Sequence, residues 1–337
     1  MTGLGRSGEH AATAARAGEL AASGRIADAY RLLTSPPAAD DPEALFMLAL
    51  WRLTGQPIRR DLAAAREFFR RAAEGGHGPA AQIYCAFVAN GTGGAADWPG
   101  AITLLEQAAT RDPDAAAQLE LIRKMRLSAN GEPLDSLDAR ELSTTPAIHC
   151  FPGFLTPEEC DFLVAQATPT FAPSLVVDPH TGRQMLNPVR TSDGTAFPLT
   201  AENPAIHAIN RRIAAATGTD VAQGEPLQVL RYHPGQEYKP HFDALPAGEA
   251  NQRILTALAY LSDGYNGGET LFLSTALRFR GKKGDLLVFR NATPDGRADP
   301  NAQHAGLPVS RGVKIIGTRW VRARPFVLPP PIPALDV

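Results

Sequence analysis

An internal period of 36 residues constrains the first third of this chain more than any other feature. Gly55 recurs as Gly91, Ala72-Ala73 as Ala108-Ala109, and Ala44 as Ala80. The two units are ALFMLALWRLTGQPIRRDLAAAREFFRRAAEGG and AAQIYCAFVANGTGGAADWPGAITLLEQAATRD. Each predicts a helix, a turn containing glycine and a second helix. One such hairpin cannot bury its own apolar face, so neighbouring units stack into an α-solenoid. Small alanines let helices approach, while Leu45, Leu48, Phe68 and Phe69 supply bulk. Residues 16–33 read as a degenerate first unit and 114–127 as a closing helix. His77, in the turn EGGHGP, reads as a solvated loop histidine.

The pattern changes after residue 127. Residues 128–146, SANGEPLDSLDARELSTTP, mix polar, Gly and Pro signals and read as a linker. A short strand AIHCF follows. Thr156-Pro157-Glu158-Glu159 then places a cap, a first-turn proline and a glutamate three residues after the cap, which starts a helix running to about Ala167. A second helix from Asn203-Pro204 puts Ile206, Ile209 and Ile213 on one face before Gly218. His149 and His207 sit in these supporting elements and read as structural. Between the helices, FAPSLVVDPHTGRQMLNPVRTSDGTAF is long and only partly strand-like, as a binding loop or a plain surface hairpin would be. After Gly224 the runs LQVLRY, RILTALAYL, TLFL, DLLVF and KIIGTRW are separated by Gly-rich turns. Short strands without intervening helices indicate an antiparallel sandwich or barrel.

Length and charge bound the possibilities further. At 337 residues two domains are the default. A formal net charge of −2 gives no basic footprint, so nucleic acid is not an expected partner. No apolar run is long enough for a membrane span, and MTGLGRSGEHAATAARAGELAASG lacks the apolar core of a signal peptide. Three cysteines, Cys85, Cys150 and Cys160, are too few and scattered for a disulfide framework. A cytoplasmic location is the expectation.

The chemistry is concentrated in LQVLRYHPGQEYKPHFD, which ends in His241-Phe242-Asp243. Side chains two apart in a strand share a face, so His241 and Asp243 can reach one metal ion. A second histidine with open coordination positions would complete the two-histidine, one-carboxylate triad of non-haem Fe(II) oxygenases. His304 is the only histidine after position 241. Ten residues later Lys314 opens KIIGTRW, where Lys314, Ile316, Thr318 and Trp320 alternate onto one face. A lysine on a largely apolar strand face needs a charge partner or must snorkel to water. His233, before Pro234, reads as structural.

LQVLRYHPGQEYKPHFD, RILTALAYLSDGYNGGETLF, KKGDLLVF, HAGLPVSRGVK and TRW together resemble the prolyl 4-hydroxylase family of Fe(II)- and 2-oxoglutarate-dependent dioxygenases, from about Leu227 to Arg322. The 36-residue units resemble Sel1-like repeats, relatives of the tetratricopeptide repeat. These resemblances imply an α+β chain. A helical repeat domain (1–127) and a linker (128–146) would precede a double-stranded β-helix, or jelly roll, with supporting helices (147–327) and a Pro-rich tail (328–337). They imply His241, Asp243 and His304 as metal ligands and catalytic residues, and Lys314 on the distal carboxylate of 2-oxoglutarate. Thr270 and Tyr232 match further cosubstrate positions, while Arg253, Trp320 and Arg190 match positions near the substrate. Ile315 stands where the family often has an aromatic. The implied cofactors are Fe(II), 2-oxoglutarate and O₂, with ascorbate as an optional addition. The implied reaction decarboxylates 2-oxoglutarate to succinate and hydroxylates a prolyl residue of a protein or peptide. The solenoid would recruit a substrate or partner, or form a homodimer. A small-molecule hydroxylase and a non-catalytic 2-oxoglutarate or oxygen sensor stay open as alternatives.

Overall fold

The computed structural model describes residues 4–36, 38–135, 137–177 and 184–327. Seven helices come first: α1 (Leu4–Ala22), α2 (Ile26–Thr34), α3 (Pro42–Thr54), α4 (Leu62–Glu74), α5 (Gly78–Asn90), α6 (Trp98–Ala109) and α7 (Pro113–Lys124). The 36-residue period corresponds to the pairs α3–α4 and α5–α6. Gly55 and Gly91 each follow the first helix of a pair in the left-handed conformation, at φ 75° and 78°, where a Cβ would be strained. Asp61 and Asp97 each cap the second helix through a side-chain oxygen. His77 differs from expectation. It caps α5 by accepting from the Ala80 amide and stacks on Phe46 at 4.2 Å, so it is part of the repeat packing.

The second half runs β1 (Arg140–Thr144), β2 (Ala147–Phe151), α8 (Pro157–Ala167), β3 (Ala172–Pro173), β4 (Leu175–Val177), β5 (Gln184–Leu186), β6 (Asp193–Ala196) and α9 (Pro204–Thr217). It continues as β7 (Gln228–Tyr232), β8 (Tyr238–His241), β9 (Arg253–Tyr260), β10 (Asn266–Gly267), β11 (Thr270–Phe272) and β12 (Leu277–Phe279). The last strands are β13 (Leu286–Arg290), β14 (His304–Gly306), β15 (Val309–Arg311) and β16 (Lys314–Arg322). The Pro-rich tail, 328–337, lies outside the described residues.

An eight-stranded sheet, ordered β1-β2-β13-β9-β16-β7-β6-β3, faces a four-stranded sheet, β12-β11-β14-β8. All described pairings in both sheets are antiparallel, the arrangement expected of the jelly roll. Leu230, Tyr232, Leu258, Tyr260, Phe272 and Phe289 fill the space between the sheets. The outer face of the large sheet is covered by α8 and α9, through Leu163, Ile206, Ile209 and Ile213 against Val229, Ala257 and Val288. The capping box at Thr156 and Glu159 is formed as the sequence predicts.

The stretch expected as a linker is partly ordered into the sheet, since β1 pairs with β2 at its edge. The helical region is also packed against the sheet region. Ala205 and Ala208 of α9 share a core with Trp98, Leu105, Leu119 and Ile122 of α6 and α7.

Arg319 ties these layers together. On the helix-facing side of β16, it donates to the carbonyls of Glu225 (3.2 Å), Asn210 (3.0 Å) and Val221 (2.9 Å). Burial pushes its guanidinium down to about 10, with Glu202 opposing the shift. A Cβ on Gly224 would lie 2.1 Å from Arg319 Nε, which explains a glycine there. Replacing Arg319 by Met leaves three carbonyls without this donor. At about 1.5–3 kcal/mol for each hydrogen bond from a charged donor, a loss of about 3 kcal/mol or more is expected in urea denaturation. A loss below about 1 kcal/mol would show that the clamp is not structural.

Candidate active site

Strand pairing, rather than proximity in sequence, builds the site. His241 ends β8 and His304 opens β14, and the two are cross-strand partners. Asp243 lies two residues beyond His241 and is buried. The Nε2 atoms of His241 and His304 lie 3.6 Å from Asp243 Oδ1 and Oδ2 respectively. One donor atom from each of the three residues falls within 4.8 Å of the others, as in a facial triad.

Both imidazoles are held in one orientation. His241 Nδ1 lies 2.8 Å from the Lys239 carbonyl and His304 Nδ1 lies 3.0 Å from the Ala302 carbonyl. A carbonyl only accepts, so each Nδ1 carries the proton and each Nε2 presents its lone pair to the centre. Burial holds His304 below the usual histidine range, which favours the neutral ligand form. Tyr238 stacks on the His241 ring at 3.4 Å between centroids. Thr256 Oγ1 donates to Asp243 Oδ2 at 2.6 Å and receives a hydrogen bond from Asn291 Nδ2 at 2.7 Å. Burial acts to raise the Asp243 pKa, but His304, His241 and the Thr256 hydroxyl outweigh it and hold the carboxyl ionised.

The triad opens onto a cavity between the sheets. Lys314, Ile316, Thr318 and Trp320 all line it, as their alternation predicts, together with Tyr232 and Thr270. Lys314 is buried, donates to the Gly268 carbonyl at 2.7 Å, and lies 5.5 and 5.8 Å from the ring centroids of Tyr232 and Tyr260. Burial lowers its pKa to about 8, against a smaller opposing pull from Glu269. Thr270 Oγ1 and Tyr260 OH are 2.9 Å apart. Trp320 Nε1 and Thr318 Oγ1 are buried without a hydrogen-bond partner among the described residues.

Two expected substrate residues do not line this cavity. Arg253 makes a bidentate pair with Glu225 at 2.6 and 2.8 Å and lies 3.8 Å over the Trp320 ring. Arg190 donates to Ser174 Oγ at 3.2 Å and sits 5.6 Å over Tyr238. His233 is outside the triad, 3.7 Å from Asp193.

Known proteins similar to this chain include prolyl 4-hydroxylases. The profile of the 2OG-Fe(II) oxygenase superfamily matches residues 227–322, and that of the Sel1 repeat matches residues 42–77. The probable prolyl 4-hydroxylase 10 of Arabidopsis thaliana is 36% identical over 237 residues, covering 63% of this chain and 81% of that protein. Prolyl 4-hydroxylase 1 of the same plant is 36% identical over 201 residues, covering 54% and 71%. The crystal structure of a viral collagen prolyl hydroxylase from Paramecium Bursaria Chlorella virus-1, in complex with 2OG, aligns with TM-score 0.43 at 30% identity, covering 52% of this chain and 96% of that one.

The chain belongs to the prolyl 4-hydroxylase family. It is a 2OG-Fe(II) oxygenase carrying a Sel1 repeat. The donor set fits the iron of this family, with two neutral imidazoles, one carboxylate and a buried space beside them.

Sequence reading passed over several residues that hold this prolyl hydroxylase site. Thr256 gave a usable signal, as a small polar residue on the strand face it shares with Leu258 and Tyr260. Tyr238 stands three residues before His241, in a stretch already singled out. Glu225 and Asn291 act across 28 and 35 positions, and no local pattern marks them. The Thr256 bond orients a metal-binding carboxylate, and loss of such support lowers metal affinity by about 10–100-fold. Thr256→Val is therefore expected to weaken Fe(II) binding by that range in anaerobic titration while the fold is kept. Unchanged affinity would show that Asp243 is positioned without it.

Proposed function

We propose that the protein hydroxylates prolyl residues in a protein or peptide, using Fe(II) held by His241, Asp243 and His304 and 2-oxoglutarate held by Lys314. The observation that carries this reading is a buried ammonium and a convergent His-Asp-His donor set in one cavity. The iron with 2-oxoglutarate and O₂ supplies the oxidising chemistry, and the chain supplies binding, orientation and exclusion of water.

The roles divide along the cavity. His241 Nε2, His304 Nε2 and the Asp243 carboxylate hold the metal. Lys314 takes the distal carboxylate of 2-oxoglutarate, supported by the Thr270 hydroxyl and Tyr232. Trp320 Nε1 and Thr318 Oγ1, both unpaired among the described residues, offer hydrogen bonds to cosubstrate or substrate. The Arg253–Glu225 pair fixes the Trp320 indole by stacking, so Arg253 acts by positioning. Its Nη1 also approaches the Asp243 carbonyl at 3.5 Å. Arg190 shapes the entrance through Tyr238.

The repeat helices serve recruitment in this reading. A groove between α4–α7 and residues 195–204 includes Tyr84, Leu104, Ala108 and Phe197. Gln118, buried on its wall, has a side-chain oxygen without a partner among the described residues. A protein substrate could be held there while a proline occupies the cavity.

Removing a buried charge partner costs about 3–5 kcal/mol. Lys314→Ala is thus expected to weaken 2-oxoglutarate by roughly two to three orders of magnitude with Fe(II) affinity nearly unchanged. Lys314→Arg, which keeps charge but not shape, is expected to recover part of the loss. Titration of the Fe(II)-loaded protein, followed in the visible spectrum, reads both. An unchanged constant in Lys314→Ala would place the cosubstrate elsewhere.

The lowered pKa of Lys314 adds a pH dependence of definite sign. The ammonium is faced by Glu269 and by the phenols of Tyr232 and Tyr260. Below about pH 8 it is charged and binds the carboxylate directly; above that value the free protein must first take up a proton. The dissociation constant for 2-oxoglutarate should rise about tenfold per pH unit above this point. A flat profile to pH 10 would contradict the assignment.

A further inference from the structure

The groove between the repeat helices and residues 195–204 is walled by both halves of the chain, and its lining is rich in acceptors. Four carboxylates, Glu74, Asp112, Asp114 and Glu202, stand against two guanidinium groups, Arg70 and Arg111. Arg70 is already paired with Glu67 and Glu74. Asp112 caps α7 and accepts from Gln82 Nε2 at 2.8 Å.

Glu202 is largely enclosed, its side chain 13% exposed. Its Oε1 accepts from His207 Nδ1 at 2.9 Å and from Asn210 Nδ2 at 3.1 Å. His207 Nε2 in turn accepts from Arg211 Nε at 3.1 Å. A guanidinium only donates, so this imidazole is neutral and leaves the carboxylate its charge. Burial acts to raise the Glu202 pKa, but the His207 bond, with Arg319 and Asn210, outweighs it and holds the carboxyl ionised. Glu202 Oε2 takes no hydrogen bond among the described residues. Gln118 of α7 gives an independent sign of a missing donor. It is 6% exposed, lines the same groove, and its Oε1 has no partner among the described residues. A buried acceptor left open costs free energy until a donor reaches it.

The groove also connects with the entrance of the cavity. Its wall at Thr195, Ala196 and Phe197 is the end of β6 and the residue after it. The chain entering β6 carries Arg190 over the Tyr238 ring, which lines the cavity. Arg190 and Phe197 are seven positions apart, so at most about 25 Å separates them. We propose that the groove takes a lysine or arginine side chain of the protein substrate, about seven or more residues from the proline that enters the cavity. This rests on the prolyl-hydroxylase reading and names a feature of its substrate. The ammonium or guanidinium brings the donors that Glu202 Oε2 and Gln118 Oε1 lack, and its aliphatic stem lies along Tyr84 and Phe197. The excess of negative charge on the walls draws in a basic segment and repels an acidic one.

The first measurement needs no turnover. A fluorescent oligoproline peptide, joined through seven Gly and Ser residues to a Lys-Leu-Lys end, is titrated into the intact chain and followed by anisotropy. It is prepared with the lysines before and after the prolines, and a companion pair carries norleucine in place of lysine. In one orientation the lysine peptide should bind at least about tenfold more tightly than its companion, the size of one charge-assisted hydrogen bond. Glu202→Gln, which keeps the shape and the acceptor for His207 and Asn210, and Gln118→Leu should each remove most of that difference. Neither should change binding of the norleucine peptide. Equal binding of lysine and norleucine peptides by the unaltered chain overturns the proposal, whether or not the variants fold. A lysine advantage that survives a linker of two residues overturns the placement in the groove. Displacement by spermidine as effective as by the peptide itself makes this a site for free amines and overturns it too. With Fe(II), 2-oxoglutarate and O₂ added, the lysine peptide should show a KM lower by the same factor with kcat unchanged. If both peptides are hydroxylated with one KM, the groove proposal fails and the functional reading stands. If the lysine peptide binds but neither is hydroxylated, the functional reading fails and the proposal fails with it.

Discussion

Strand β16 is hydrogen-bonded on both sides, to β7 and to β9, and its two faces meet different surroundings. Toward the small sheet it presents Lys314, Ile316, Thr318 and Trp320 to the cavity. Toward the helices it presents Ile315, packed in the outer core, and Arg319, clamped on three carbonyls. A one-residue slip would exchange these faces and put Arg319 into the cavity and Lys314 into the helix layer. Register here is therefore a catalytic property as well as a structural one. Ile315, where the resemblance leads one to expect an aromatic, packs in the helix-facing core.

Among the buried charged side chains described in this half are Asp243, Lys314 and Arg319. Each is stabilised differently. Arg319 has fixed carbonyl partners and is complete within the protein. Asp243 has two imidazoles and a hydroxyl, an arrangement that also leaves room for a cation. Lys314 has one carbonyl and two aromatic faces, and its lowered pKa records how little of its hydration has been replaced. Charges left incomplete in this way are characteristic of binding sites. A divalent metal beside Asp243 and a dicarboxylate reaching Lys314 would complete both.

The readable part of the sequence was the part written in local or short-period signals. Gly55 and Gly91 announced the repeat because only a left-handed cap requires glycine there. Thr156 and Glu159 announced α8 because a capping box is closed within four residues. His241 and Asp243 were legible from their spacing, Lys314 because a lysine on an apolar face is conspicuous, and His304 through the family resemblance. What was missed depends on distant partners. β1 is a strand because β2 and β13 extend a sheet to it, and RELST alone has no alternating apolar face. His77 looked like a loop residue because its stacking partner, Phe46, lies in the preceding unit. The Glu225 partner of Arg253 was not legible because it comes 28 positions earlier.

The same long-range packing changes how the two halves relate. Sequence alone suggested a repeat domain joined by a linker to an independent oxygenase. Yet α9 presents one face, through Ile206, Ile209 and Ile213, to the large sheet, and another, through Ala205 and Ala208, to the core of α5–α7. An alanine face without its partner helices would leave close-packed small residues against water, with little bulk to collapse over them. The middle of α9 in turn holds Arg319 through the Asn210 carbonyl, and β16 carries Lys314 five residues before Arg319. A displacement of the repeat helices therefore has a continuous packed route, through α9 and β16, to the cavity. Whether such a route transmits a signal depends on α9 having two discrete positions, since packed contact by itself does not establish coupling. The repeats act on the oxygenase first of all as part of its core.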